Sequence, residues 1–122
     1  MKSLTALKVL VVEDEALVSM LVEDMLTDLG CIVIGPAAEI DEALRLATTV
    51  EIDAALLDVN LGGRPIFPVA DALKARGVPF AFASGYGEAG LTEAHRGATV
   101  LQKPFREADL RRVLEGLAAI VA

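Results

Sequence analysis

Three short apolar runs in this chain each end in charge: Val9-Leu10-Val11-Val12 in Glu13-Asp14, Ala54-Ala55-Leu56-Leu57 in Asp58, and Thr99-Val100-Leu101-Gln102 in Lys103-Pro104. Short runs of this kind suit strands buried on both faces of a parallel sheet. A doubly wound sheet directs all its strand carboxyl ends to one side, where open α/β folds bind ligands. The three charged ends therefore predict carboxylates and one ammonium on a common edge.

The rest of the chain alternates in the same way. β-branched runs near 8–13, 31–35, 53–58, 79–83 and 98–102 are separated by segments of helical period, the pattern of successive βαβ units. A first helix is expected from Glu15 to Leu29, with Leu17, Leu21, Met25 and Leu29 along one side and Glu23, Asp24 and Asp28 on the other, closed by Gly30. A second, Glu39 to Thr48, turns Ile40, Ala43, Leu44 and Ala47 inward. A third runs from Val69 to Arg76 after Pro68, and a fourth is expected over Glu88 to Arg96. The last, Glu107 to Ile120, buries Leu110, Val113, Leu114 and Leu117. The expectation is a five-stranded doubly wound parallel sheet with five helices.

Composition narrows the partners. A length of 122 residues predicts a single domain over 1–122 with no output domain. The hydrophobic fraction of 54% is high, yet apolar stretches are broken by charge well short of the roughly 18 residues a membrane span needs. A net charge of −7 disfavours nucleic acid and anionic membranes, which call for a basic face. The opening Met1-Lys2-Ser3-Leu4 lacks the apolar core and cleavage site of a secretory signal, which predicts a cytoplasmic protein. Cys31, the single cysteine, opens the run Cys31-Ile32-Val33-Ile34 and reads as a buried small hydrophobe.

If the strands are neighbours, Glu13, Asp14 and Asp58 share a cleft. Two like charges about 4 Å apart repel by roughly 4 kcal/mol at an effective dielectric of about 20, so the cluster calls for a cation. Mg2+ suits an all-oxygen site, takes one or two protein carboxylates and leaves positions for phosphate oxygens. Lys103 adds a fixed positive charge. Asp58 can then act as a nucleophile toward phosphorus, with Ser84 offering a hydroxyl to a phosphoryl oxygen.

These dispersed signals, in this order and at these strand ends, resemble a bacterial two-component response-regulator receiver domain over essentially the full length. The resemblance implies a flavodoxin-like, CheY-like fold of strand order 2-1-3-4-5, with Asp58 as phosphoacceptor and Asp14 as the closer metal ligand of the acidic pair. It implies Glu13 as the second acid, the backbone carbonyl of Asn60 as a further metal ligand, Ser84 as the switch hydroxyl and Lys103 as the phosphate contact. Phe82-Ala83-Ser84-Gly85-Tyr86-Gly87 is similar to the FATGUY subset of receivers, with serine in place of threonine. By that resemblance the protein would be a stand-alone regulator served by a histidine kinase of HWE or HisKA2 type, or by a phosphotransfer protein, some within general stress signalling. It would be a phospho-accepting switch rather than an enzyme, acting on a downstream protein or as a phosphate sink.

Two positions depart from the commoner pattern. Val100 stands where most receivers carry a switching aromatic, which moves the reporting role to Tyr86. Asn60-Leu61-Gly62-Gly63 lacks the usual Met-Pro pair, which predicts a freer backbone. His95, the only histidine, reads as a surface residue of the fourth helix, and Asp71 as solvated. Two rival readings fit less well. A haloacid-dehalogenase-like phosphatase would place an acid two residues beyond the nucleophile, where Asn60 stands, and a dinucleotide-binding fold would open its first strand into a glycine-rich loop rather than Glu13-Asp14-Glu15.

Overall fold

A computed structural model describes residues 4–85, 91, 95 and 98–121. Its elements are β1 (Lys8–Val12), α1 (Ala16–Asp28), β2 (Ile32–Ala37), α2 (Ile40–Thr49), β3 (Ala54–Asp58), β4 (Asn60–Leu61), β5 (Arg64–Pro65), α3 (Phe67–Ala75), β6 (Phe80–Ser84), β7 (Thr99–Gln102) and α4 (Glu107–Val121). Five strands form one parallel sheet in the order β2-β1-β3-β6-β7. Counting only these strands, that is the flavodoxin-like order 2-1-3-4-5. Four helices lie among the described residues; the expected segment Glu88 to Arg96, like Tyr86, falls outside them apart from Leu91 and His95.

Alternation along the strands divides the interior in two. Leu10, Val12, Ala55, Leu57 and Phe82 pack with α2 and α3. Their neighbours Val9, Val11, Ala54, Leu56 and Ala81 pack with α1 and α4. Both sheet faces are thus buried, which explains why the central strands read as unbroken apolar runs. No helix among the described residues is long and apolar enough to cross a membrane.

The register levels the carboxyl ends of the strands. Val12 pairs with Leu57, Asp58 with Ala83, and Ser84 with Gln102. The Lys103 N–H donates to the Ser84 carbonyl at 2.9 Å, and the Glu13 N–H to that of Ala37 at 3.0 Å, carrying the ladder one residue further. At the β2 edge, Gly35 has φ +95, and a Cβ there would stand 2.9 Å from the Ala37 nitrogen, so the close backbone approach requires glycine.

Three expectations are corrected. The first half of the α1 stripe faces solvent: Leu17 is 72% and Leu21 53% exposed, while Ser19, Val22 and Leu26 are buried and Met25 and Leu29 pack against the core. A strict four-residue repeat advances by about 40° per step on a helix of 3.6 residues per turn, so the stripe winds from solvent at Leu17 toward the core at Leu29. Second, α3 starts at Phe67, ahead of Pro68, which its first turn accommodates. Third, the stretch after Asp58 is an ordered hairpin. Gly62 and Gly63, at φ +57 and +83, form its tip between β4 and β5, as a two-residue turn with two positive φ angles demands. Leu61 and Ile66 are buried beneath it, and the Ile66 N–H donates to the Val59 carbonyl at 3.1 Å.

Candidate functional site

Strand ends bring the expected side chains together. Ligand oxygens of Glu13, Asp14 and Asp58 lie within 4.8 Å of one another. Lys103 Nζ reaches from the end of β7, donating to Glu13 Oε1 at 2.7 Å and lying 3.6 Å from Asp58 Oδ1. The Glu13 carboxylate is buried at 5% exposure, whereas Asp58 keeps 12%, so Asp58 is the carboxylate of this pair more open to a reactant. Glu13 Oε2 also accepts the Glu15 N–H at 3.2 Å. Asp14 is exposed, and its Oδ2 accepts the Gly62 N–H at 2.9 Å, pinning the hairpin tip over the acidic edge.

Burial pulls the Lys103 ammonium toward deprotonation, but the hydrogen bond it donates to Glu13 and the charges of Asp58, Glu13 and Glu15 outweigh it. Its pKa is raised above the ordinary lysine value. The lysine therefore stays charged at neutral pH. Ser84, the last residue of β6, is buried and lies one residue beyond the level of Asp58 on the adjoining strand. Asn60 opens β4 two residues after Asp58. Tyr86 lies outside the described residues.

A groove of about 330 Å³ runs alongside, lined by Val18, Leu21, Val22 and Met25 of α1 and by Lys103, Pro104 and Phe105. Val18, Val22, Lys103 and Phe105 also line the smaller cleft that holds Glu13 and Asp58, so the groove is continuous with the acidic edge. Cys31 is buried in the α1–α4 core, and burial pushes its thiol pKa up, as a structural cysteine requires.

Sequence reasoning missed two features. One is the direct Lys103–Glu13 pair, since Lys103 was assigned to a phosphate rather than to a carboxylate. The other is His95, expected on the surface. Its side chain is only 13% exposed, stacked on Phe67 and held 2.9 Å from Asp71 Oδ1. Partners 24 or more residues away in the sequence leave no local pattern.

Fold and site together place the chain among flavodoxin-like α/β domains with an acidic, lysine-bearing strand edge. The response regulator receiver domain model matches residues 9–115, and the chain belongs to that two-component signalling family. The phyllosphere-induced regulator PhyR of Methylorubrum extorquens AM1 is 34% identical over 113 residues, 89% of this chain and 42% of that protein. The chain spans about half or less of the curated relatives it matches. SdrG from Sphingomonas melonis Fr1 is 38% identical, with a TM-score of 0.80, covering 95% of this chain and 98% of that one. The receiver domain of the sensor histidine kinase PA1611 from Pseudomonas aeruginosa PAO1, 26% identical, matches at a TM-score of 0.80 over 94% of this chain and 99% of its own, and has a magnesium ion coordinated in its active-site cleft.

Proposed function

We propose that the chain is a receiver that takes a phosphoryl group on Asp58 from a phosphohistidine of a histidine kinase or phosphotransfer protein. The observation that carries this reading is the Asp58 carboxylate, partly open at the end of β3, 3.6 Å from Lys103 Nζ and within 4.8 Å of two further carboxylates. In the transfer an Asp58 Oδ–P bond forms as the P–N bond breaks. The departing imidazole nitrogen keeps the electron pair and takes a proton. Lys103 Nζ lies close enough to swing a donor onto the phosphoryl oxygens, and Ser84 adds a hydroxyl at the neighbouring strand end.

Hard oxygen donors clustered this tightly fit magnesium. Asp14, Asp58 and the Asn60 carbonyl would hold it, with Glu13 secondary because Lys103 already engages that carboxylate. Bound there, the ion would neutralise charge on the phosphoryl oxygens.

The groove beside α1 supports a protein donor, since a partner presenting a phosphohistidine to Asp58 would cover this contiguous apolar surface. Similarity to nearly the whole SdrG chain supports a stand-alone regulator. It would work in the cytoplasm, passing its state to a protein partner or draining phosphoryl groups from a kinase of HWE or HisKA2 type. Acetyl phosphate with magnesium should add one phosphoryl mass through an acid-labile linkage. Asp58→Asn, or chelation of magnesium, should abolish it; undiminished labelling of the Asn variant would reject Asp58.

A further inference from the structure

His95 is the only histidine of the chain, and its ring is held on three sides. It stacks on Phe67 with centroids 4.6 Å apart and planes 22° from parallel. It meets the Phe82 ring edge-on at 5.9 Å and 83°. Its Nε2 lies 2.9 Å from Asp71 Oδ1. Phe67 and Asp71 are four residues apart on α3, one turn of a single helix face. Phe82 belongs to β6, is fully buried, and precedes Ser84 by two residues. One ring from the chain joining β6 to β7 is therefore clamped by α3 and touches the strand that ends at the acidic edge.

The packing shows why this ring is placed to report. Phe82 pairs in register with Val100 of β7, and both belong to the same core cluster. Val100 is aliphatic and cannot swing a ring. Among the described residues, the aromatic contacts on this face of β6 come instead from Phe67, Phe80 and His95.

We infer that the His95 ring, clamped between Phe67, Asp71 and Phe82, is the element that transmits the phosphorylation state of Asp58 to the α3 surface. The inference rests on the reading of Asp58 as phosphoacceptor. A phosphoryl group there draws the Ser84 hydroxyl toward it, and the connected backbone shifts Phe82. The edge-on contact is lost, and the His95 ring leaves Phe67 and Asp71. On this inference the stack and the hydrogen bond are made before phosphorylation and broken after it, which is the differential contact that a population shift requires. The surface that changes carries Asp71 and the exposed part of α3.

A lone histidine gives a single set of ring resonances. The full chain, labelled with 13C-histidine, would be followed by NMR on addition of acetyl phosphate and magnesium, with phosphoryl uptake measured by intact mass in the same sample. Stacking on Phe67 imposes an upfield ring-current shift on the His95 protons. That shift should collapse in proportion to the phosphorylated fraction, remain in Asp58→Asn, and persist in Ser84→Ala at matched phosphoryl occupancy. Phosphorylated protein with unmoved His95 resonances overturns the coupling while leaving Asp58 in place. Absence of any phosphoryl mass overturns the reading of Asp58 and the coupling with it. A structural role alone predicts that His95→Leu leaves the phosphorylation-dependent shifts of α3 amides intact, and that result would also overturn the proposal.

Discussion

Glu13 and Asp14 are consecutive, yet they face different tasks. Glu13 is buried and bound to Lys103, whereas Asp14 is exposed and accepts only a backbone N–H from the hairpin tip among its described contacts. Asp14→Ala should therefore lower magnesium affinity by at least about tenfold, and Glu13→Gln by less, in titrations with the metal alone. Equal affinity of Asp14→Ala and the parent would reject the ligand set. A second residue-scale prediction concerns Ser19, whose Oγ is buried without a hydrogen-bond partner. Ser19→Ala should stabilise the protein by about 1 kcal/mol in urea unfolding, since it removes an unsatisfied polar group. The acidic edge was legible because each carboxylate follows an apolar run. The Lys103–Glu13 bond was not, because spacing places a charge on the edge without choosing its partner.

Elements show which local signals carry shape. Gly62-Gly63 between Leu61 and Arg64 is a hairpin signal in its own right, and the reading of a freer backbone overlooked that two positive φ angles lock a turn as well as loosen a loop. A Cβ at Gly62 would meet nothing within 4 Å, so the cost of substitution there is backbone strain alone. Gly62→Val should cost about 1–2 kcal/mol, and Gly62→Asn clearly less, by thermal unfolding. At the start of α4, Asp109 accepts the Arg106 N–H at 3.0 Å, and this bond first, then Arg106 and Arg112, lowers its pKa. A depressed folded-state value means a contribution present above the unfolded carboxylate pKa of about 3.9 and lost as pH falls through the folded one. The stability difference between the parent and Asp109→Asn should therefore shrink on acidification through that window.

At the scale of the molecule, the order of the five-stranded sheet followed from the resemblance. Alternation and apolar runs supported its βαβ layout, because burial on both faces leaves a plain mark in composition. What lies on the surface beside the site left a weaker one. Leu21 and Met25, two of the four residues of the apolar α1 stripe, border the groove next to Asp58. Leu21→Asp should slow transfer from a phosphorylated histidine protein by more than it slows labelling by acetyl phosphate, in side-by-side rate measurements. Equal slowing would remove the groove from donor recognition.

The parity of the strands has a wider consequence. Leu10 and Val11 are covalent neighbours, yet each central strand stands between them like a party wall between two houses. Truncation of both to alanine should give stability losses that add to within about 0.5 kcal/mol, as for sites that share no partners. Variation can then redecorate the rooms on the α1 side and those on the α3 side separately, while both households keep the same front door.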